Sequence, residues 1–338
     1  MGGSSSNTNR RGGAITGDRL DQAAPLARNG ALALTAPVRI GAGRRRARTA
    51  RQRSILAASL LLAPSALFLA TFTYWPVLQV LVRSFIDHQY GEVARFGFGN
   101  YARLFADPHF RQAAWNNIVY GVGTIVPSLA FALLFALGLR DNRRFTAFLR
   151  TLLVLPMMIP LVAASALFIF IFLPGEGLID HYLAFLGAGQ TNWLGNPSLA
   201  MPSIIALTVW KNTGYYMLFF LAGLAGIPDQ LVEAAMLEGA GPVQRFRHVI
   251  LPLLGPTLAF VLVIALLNVL TQVDHIVVMT DGGPSDQTNV LLFYIYQQAH
   301  QNNDMGLAAA ATAVSVAVLF ILSAGSLRAL ERGIHYES

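Results

Sequence analysis

Cysteine is absent from the 338 residues, and lysine occurs once, as Lys211. The first absence excludes disulfides, thiolate metal sites and cysteine nucleophiles. The second excludes a P-loop, where a lysine must follow a glycine-rich turn. Lys211 instead follows Thr208, Val209 and Trp210, so any ATPase activity belongs to another chain. Charge is scarce as well. Asp, Glu, Lys and Arg make up 12% of the chain, against about 25% in a soluble globular protein. With 54% hydrophobic residues and a mean hydropathy of +0.52, this rules out an ordinary cytosolic enzyme and a disordered protein. No carboxylate lies deep in an apolar block; only Asp274 stands at the edge of one. Ion-coupled carriers place carboxylates or histidines deep in their spans, so such a carrier is the weaker alternative. No HExxH and no paired carboxylates occur, so neither a catalytic residue nor a bound metal is expected.

What the chain has in quantity is apolar sequence. A bilayer core roughly 30 Å thick needs about 20 helical residues. Six blocks qualify: Ile55 to Val82, Trp115 to Leu139, Thr151 to Leu173, Met201 to Gly226, Leu251 to Val273 and Met305 to Leu327. This predicts an all-α membrane protein with six transmembrane helices. Prolines 64, 76, 127, 156, 160, 252 and 256 fall in these blocks, where neighbouring helices can satisfy the freed backbone groups. Between the first two spans, Asn100 reads as an N-cap before helical spacing at Tyr101, Leu104 and Phe105, in a segment expected to lie at the outer interface.

The formal charge of +7 is distributed for orientation rather than for nucleic acid. Of the 24 basic residues, 11 lie in the first 53 positions. Arg140, Arg143, Arg144 and Arg150 follow the second block, Arg245 and Arg247 the fourth, and Arg328 and Arg332 the sixth. The segments 174–200 and 274–304 contain no Lys or Arg. Only the loop after the first block departs, with Arg83, Arg95, Arg103 and Arg111 beside Asp87, Glu92 and Asp107, and the positive-inside rule leads to the expectation of a multi-pass protein with both termini cytoplasmic. Residues 1–53 read as a disordered basic cytoplasmic tail that anchors orientation. His275, beside Asp274, reads as part of an outer-edge polar pair.

One cytoplasmic loop, residues 227–252 (IPDQLVEAAMLEGAGPVQRFRHVILP), is unlike the rest. Pro228 and Asp229 suit a helix start, and Leu231, Ala234, Ala235 and Leu237 have helical spacing. Gly239 and Gly241 break the helix, and Pro242 can open a second one with Val243, Phe246 and Ile250 on one face. Spacing alone allows two readings: a docking element for a groove on a partner, or a hairpin that packs on its own bundle.

This loop resembles the EAA motif of permeases from binding-protein-dependent ABC importers. Glu233, Ala234 and Ala235 are followed by Gly239, then by Val249 where the motif has Ile, and by Leu251 and Pro252. The segments GNYARLFADPHF, TDGGPSDQT and DMGLAAA resemble the carbohydrate branch, of the maltose-permease and glycerol-3-phosphate-permease type. The resemblance implies the MetI-like ABC importer permease fold over residues 54–338 and a location in the cell (inner) membrane. It also implies a second homologous permease chain, a dimeric ABC ATPase carrying ATP and Mg, and an extracytoplasmic solute-binding protein. No cofactor would sit in this chain, and its solute would be a sugar, polyol or sn-glycerol-3-phosphate. In relatives the solute site lies near mid-membrane on the fourth to sixth spans. That marks Lys211, Asn212, Tyr215 and Tyr216 on the fourth span, with Asn268, Thr271 and Gln272 on the fifth, as the candidate pathway. A lone lysine near the bilayer centre costs roughly 2.5–3.5 kcal/mol on insertion scales. Lys211 must therefore face protein or water, either pairing a phosphate on the solute or serving a structural or gating role.

Overall fold

The structure is a computed structural model and describes residues 59–87, 95–141, 143–187 and 189–331, with side chains to 325. The tail 1–53, the C-terminal residues 332–338 and Glu92 lie outside the described residues. The fold is held by the unit from Ser65 onward, and the described residues before it, 59–64, are helical.

The helices are α1 (Ser59–Ser84), α2 (Gly99–Ala106), α3 (Pro108–Gly138), α4 (Arg144–Met158), α5 (Leu161–Ile171), α6 (Leu178–Ala184) and α7 (Ala200–Ala225). They continue with α8 (Asp229–Leu237), α9 (Pro242–Leu253), α10 (Gly255–Thr271), α11 (Asp274–Met279), α12 (Leu291–Tyr296) and α13 (Met305–Glu331). A two-residue antiparallel pair, β1 (Ile86–Asp87) and β2 (Arg95–Phe96), is the one strand pairing among the described residues. By length and composition α1, α3 and residues 305–325 of α13 can cross a membrane alone. The pairs α4–α5, α7–α8 and α9–α10 qualify together and are bent by 100°, 72° and 68°, giving up to six spans.

Local chemistry sets these boundaries. Asp107 accepts the His109 amide at 2.9 Å with Pro108 at the first helical position, a favoured N-cap. So α3 begins seven residues before the expected Trp115, and 108–112 are helix rather than loop. Asn100 does not cap α2, which starts at Gly99. Its amide donates instead to the Ser84 carbonyl at 3.2 Å and the Ile86 carbonyl at 2.9 Å. Leu104 is fully buried beside Phe110, Tyr294 and Leu307, so α2 packs on the bundle.

The third span is broken rather than continuous. Pro160 has no N–H for the Pro156 carbonyl, and the residue before a proline is pushed out of the α region. Ile159 accordingly sits at φ −77°, ψ 129°. The long α3 and α7 pack over each other, with Gly123 of α3 closing on Ile205 of α7, a small-residue approach usual at membrane-helix interfaces. The segment 274–304 is also ordered. Asn116 donates to the carbonyls of Asp286 (2.7 Å) and Asn289 (2.9 Å), and Thr280 and Thr288 bond at 2.7 Å. His275 forms no edge pair with Asp274. It is completely buried, and its Nε2 bonds the Tyr120 hydroxyl at 2.8 Å.

Candidate functional site

The loop 227–252 is a helical hairpin. The first helix, α8, ends in a Schellman motif: the Ala240 N–H donates to the Ala235 carbonyl (2.9 Å) and the Gly239 N–H to the Met236 carbonyl (3.0 Å). The closing residue of that motif must be left-handed, and Gly239 has φ +82°. Ala235 and Gly239 are thus two ends of one turn. Gly241 then starts α9, its N–H donating to Gln244 Oε1 at 3.0 Å. Glu233 and Ala234 are exposed and Ala235 half-buried, while Leu237 is 90% exposed and Val243 76%. Val249 and Leu251 are half-buried at the base of the hairpin, Pro252 is exposed, and Leu254 at the α9–α10 bend is fully buried. Arg140 Nη2 meets Asp229 at 2.8 Å and ties the α3–α4 connection to the start of α8. The Arg150 guanidinium donates to the carbonyls of Leu139 and Asp141, closing the end of α3.

Within the bundle, α3, α7 and α10 enclose a small chamber lined by Thr124, Ser128, Thr208, Asn212, Tyr216 and Asn268 together with the apolar Ile125, Ala265 and Val269, with room for roughly one water molecule. Asn268 Nδ2 donates to the Tyr216 hydroxyl at 3.0 Å, and Gln272 Nε2 donates to Asn268 Oδ1 at 3.4 Å. The Tyr120 hydroxyl continues the polar track, reaching Thr208 at 3.2 Å as well as His275. Asn212, Tyr216 and Asn268 therefore come together, with Gln272 attached through Asn268. Tyr215 and Thr271 do not line the chamber. The Tyr215 ring meets Phe219 edge-on at 5.0 Å, and the exposed Thr271 hydroxyl donates to Leu267 at 2.7 Å.

Sequence reasoning missed Tyr120, Thr124, Ser128, Thr208 and His275. The second span carries hydroxyls at Tyr120, Thr124 and Ser128, but a polar side chain inside a span reads equally as one that only bonds a helix. Thr124 does donate to the Tyr120 carbonyl at 2.6 Å, so no sequence signal separates the two roles.

Lys211 does not point into the chamber. Its ammonium donates to the carbonyls of Pro156 and Met157, each at 3.3 Å, and to that of Ile159. In the segment between α5 and α7, the Asp180 carboxylate accepts from the N–H groups of Gly175 (2.8 Å) and Thr191 (3.0 Å) and from Trp193 Nε1 (2.7 Å). These three bonds, Gly175 first, outweigh burial and hold its carboxyl below the usual carboxylate range. No cluster of three His, Asp or Glu able to hold a metal occurs among the described residues.

Bent membrane-length helices around a small chamber, with an exposed helical hairpin, define a multi-pass membrane protein. Residues 128–336 match the model of the "binding-protein-dependent transport system inner membrane component" family. The sn-glycerol-3-phosphate transport system permease protein UgpA of Escherichia coli (strain UTI89 / UPEC) is 33% identical over 82% of this chain and 95% of its own length. The probable ABC transporter permease protein YurN of Bacillus subtilis (strain 168) is 33% identical over 81% and 96%. A crystal structure of a bacterial ABC transporter involved in import of the acidic polysaccharide alginate shares the fold, with a TM-score of 0.73 at 24% identity over 85% of this chain and 99% of that one. The chain belongs to this inner-membrane component family and is a permease subunit of an ABC importer, which disfavours the ion-coupled carrier.

Proposed function

We propose that this permease forms half of the translocation pathway for a sugar, polyol or sn-glycerol-3-phosphate-like solute, and that residues 227–252 couple it to a separate ATPase dimer. The observation that carries this reading is the hairpin, which presents Glu233, Ala234, Leu237 and Val243 to solvent beside the Gly239 turn. Apolar side chains left this exposed on a polar-flanked helix suit docking into a groove. ATP and Mg would bind the ATPase. A second homologous permease would complete the pore, and an extracytoplasmic solute-binding protein would deliver the solute. Basic loops put both termini in the cytoplasm. ATPase closure biases a two-state equilibrium of the bundle, and this chain converts that motion into helix movement without catalysing a reaction. Asn212, Tyr216, Asn268 and Gln272 would offer the solute donors and acceptors. The solute class rests on what the similar permeases carry and on the uncharged hydroxyl and amide groups in the chamber lining.

The test is reconstitution of this chain with its second permease, ATPase and binding protein in liposomes. Uptake that requires all four supports the reading. Uptake by this chain alone, driven by an ion gradient, refutes it.

A further inference from the structure

We propose that Lys211 is a positioning residue that pins the break in the third span to the fourth span, so that movement of the coupling hairpin reaches α5. The inference rests on the reading of this chain as a coupled permease and assigns a part within it.

The argument begins with the freed backbone. At a bend of 100° between α4 and α5 the helical ladder is interrupted. The Pro156 carbonyl has lost its i+4 donor because residue 160 is proline, and keeps only a 3.3 Å backbone bond from the Ile159 N–H. Met157 and Ile159 carry carbonyls at the same break. Carbonyls at a helix C-terminus form the negative end of its dipole and lack their i+4 amide partners, which leaves lone pairs for other donors. An ammonium group has three N–H donors and no acceptor. Lys211 directs its ammonium at these three carbonyls, of Pro156, Met157 and Ile159, so its donor capacity is matched. The lysine is 7% exposed, which leaves little of it for a solute. A phosphate receptor would need free donors turned toward the chamber, and the chamber lining does not include Lys211.

A second contact makes the junction rigid. One turn further along α7, a Cβ built on Gly214 would run into the Leu153 carbonyl and close on the Val154 backbone. The two helices therefore touch backbone to backbone three residues from the Lys211 clamp. This same α7 runs on to Ala225 and bends by 72° into α8. The hairpin, α7 and the broken third span form one mechanical series. Beyond the pin, α5 carries Ala164 and Phe168, which belong to or pack on the core shared with Tyr120, Ile276 and Phe293. Displacement of α8 would thus be delivered to the helices beside the chamber.

The test uses the complete transporter in proteoliposomes, with Lys211→Met (similar length, no donor) and Lys211→Arg (cation and donors kept). Uptake, ATP hydrolysed and solute KM are measured on each preparation. The expected result for Lys211→Met is normal ATPase co-purification and an unchanged solute KM. Its uptake per ATP should fall by about tenfold or more, since even one of the three charge-assisted hydrogen bonds lost carries that factor. Lys211→Arg should recover part of that ratio. A raised KM or altered solute preference at unchanged uptake per ATP in either variant overturns the proposal and returns Lys211 to the solute path. Failure of both variants to assemble also overturns it, making the lysine a folding residue only. If the wild-type complex itself shows no ATP-dependent uptake, the reading of function fails instead, and the two failures are distinguishable.

Discussion

Gly239 offers a graded test of the coupling hairpin, because its requirement is conformational and not steric. Its φ is +82°, and a Cβ placed there would meet nothing within 4 Å. The penalty for an ordinary side chain is then the left-handed backbone alone, roughly 1–2 kcal/mol. That corresponds to about a 5- to 30-fold loss in the population of the native turn. Gly239→Ala should carry that penalty. Gly239→Asn should carry less, since asparagine visits this region more readily. Gly239→Pro is different in kind. The ring fixes φ near −65° and removes the N–H that bonds the Met236 carbonyl at 3.0 Å, a combined cost of about 3 kcal/mol or more. The expected order of uptake in the reconstituted transporter is therefore glycine, asparagine, alanine, proline. Insertion should be unaffected in all four, because the hairpin lies beyond Ala225, where α7 ends. ATPase co-purification and solute-stimulated hydrolysis should fall in the same order as uptake. If asparagine proved as damaging as proline, space rather than φ would be the requirement, and the argument from the turn would be wrong. Wild-type uptake in the proline variant would remove the hairpin from coupling altogether.

Three further outcomes are expected. Asn268→Ala removes the hydrogen bond to Tyr216 and the support of Gln272, so it should change solute KM or selectivity while uptake per ATP stays constant; the same is expected, more weakly, of Gln272→Ala. Asp180→Asn places one acceptor oxygen against three N–H donors, and should increase protease cleavage of 174–200 at neutral pH. Since the folded carboxyl is held below its ordinary value of 3.8, the wild-type contribution is fully present above that value and is lost as pH falls through the lower folded one; cleavage that varied between pH 5 and 8 would contradict this. Single cysteines at Asp141 and Gln190, introduced into a chain with none, should label from the cytoplasm and from outside respectively, and labelling of Gln190 from the cytoplasm would reverse the orientation.

The parts of this molecule written in local chemistry were legible, and the parts written in tertiary geometry were not. The turn at Gly239 and the second helix opening at Pro242 each depend on a few adjacent residues and stand where those residues imply, and among the described residues the six apolar blocks correspond to three single helices and three bent pairs. The break of the third span was half legible. Pro156 and Pro160 mark it, yet proline is common in membrane helices, and nothing local distinguishes a mild kink from a bend of 100°. The donor that reaches the break is Lys211, 52 residues from Ile159 in the chain. Its apparent cost as a buried charge and the apparent defect at Pro160 are one arrangement seen from two helices. The same holds for His275, which looks like an edge residue beside Asp274 until Tyr120, 155 residues away, supplies its partner. A polar side chain inside an apolar span identifies itself in sequence only as an unmet demand. Which backbone or side chain meets it separates a group turned to the solute from one turned to the fold, and in this permease the lysine meets the backbone carbonyls of the broken third span.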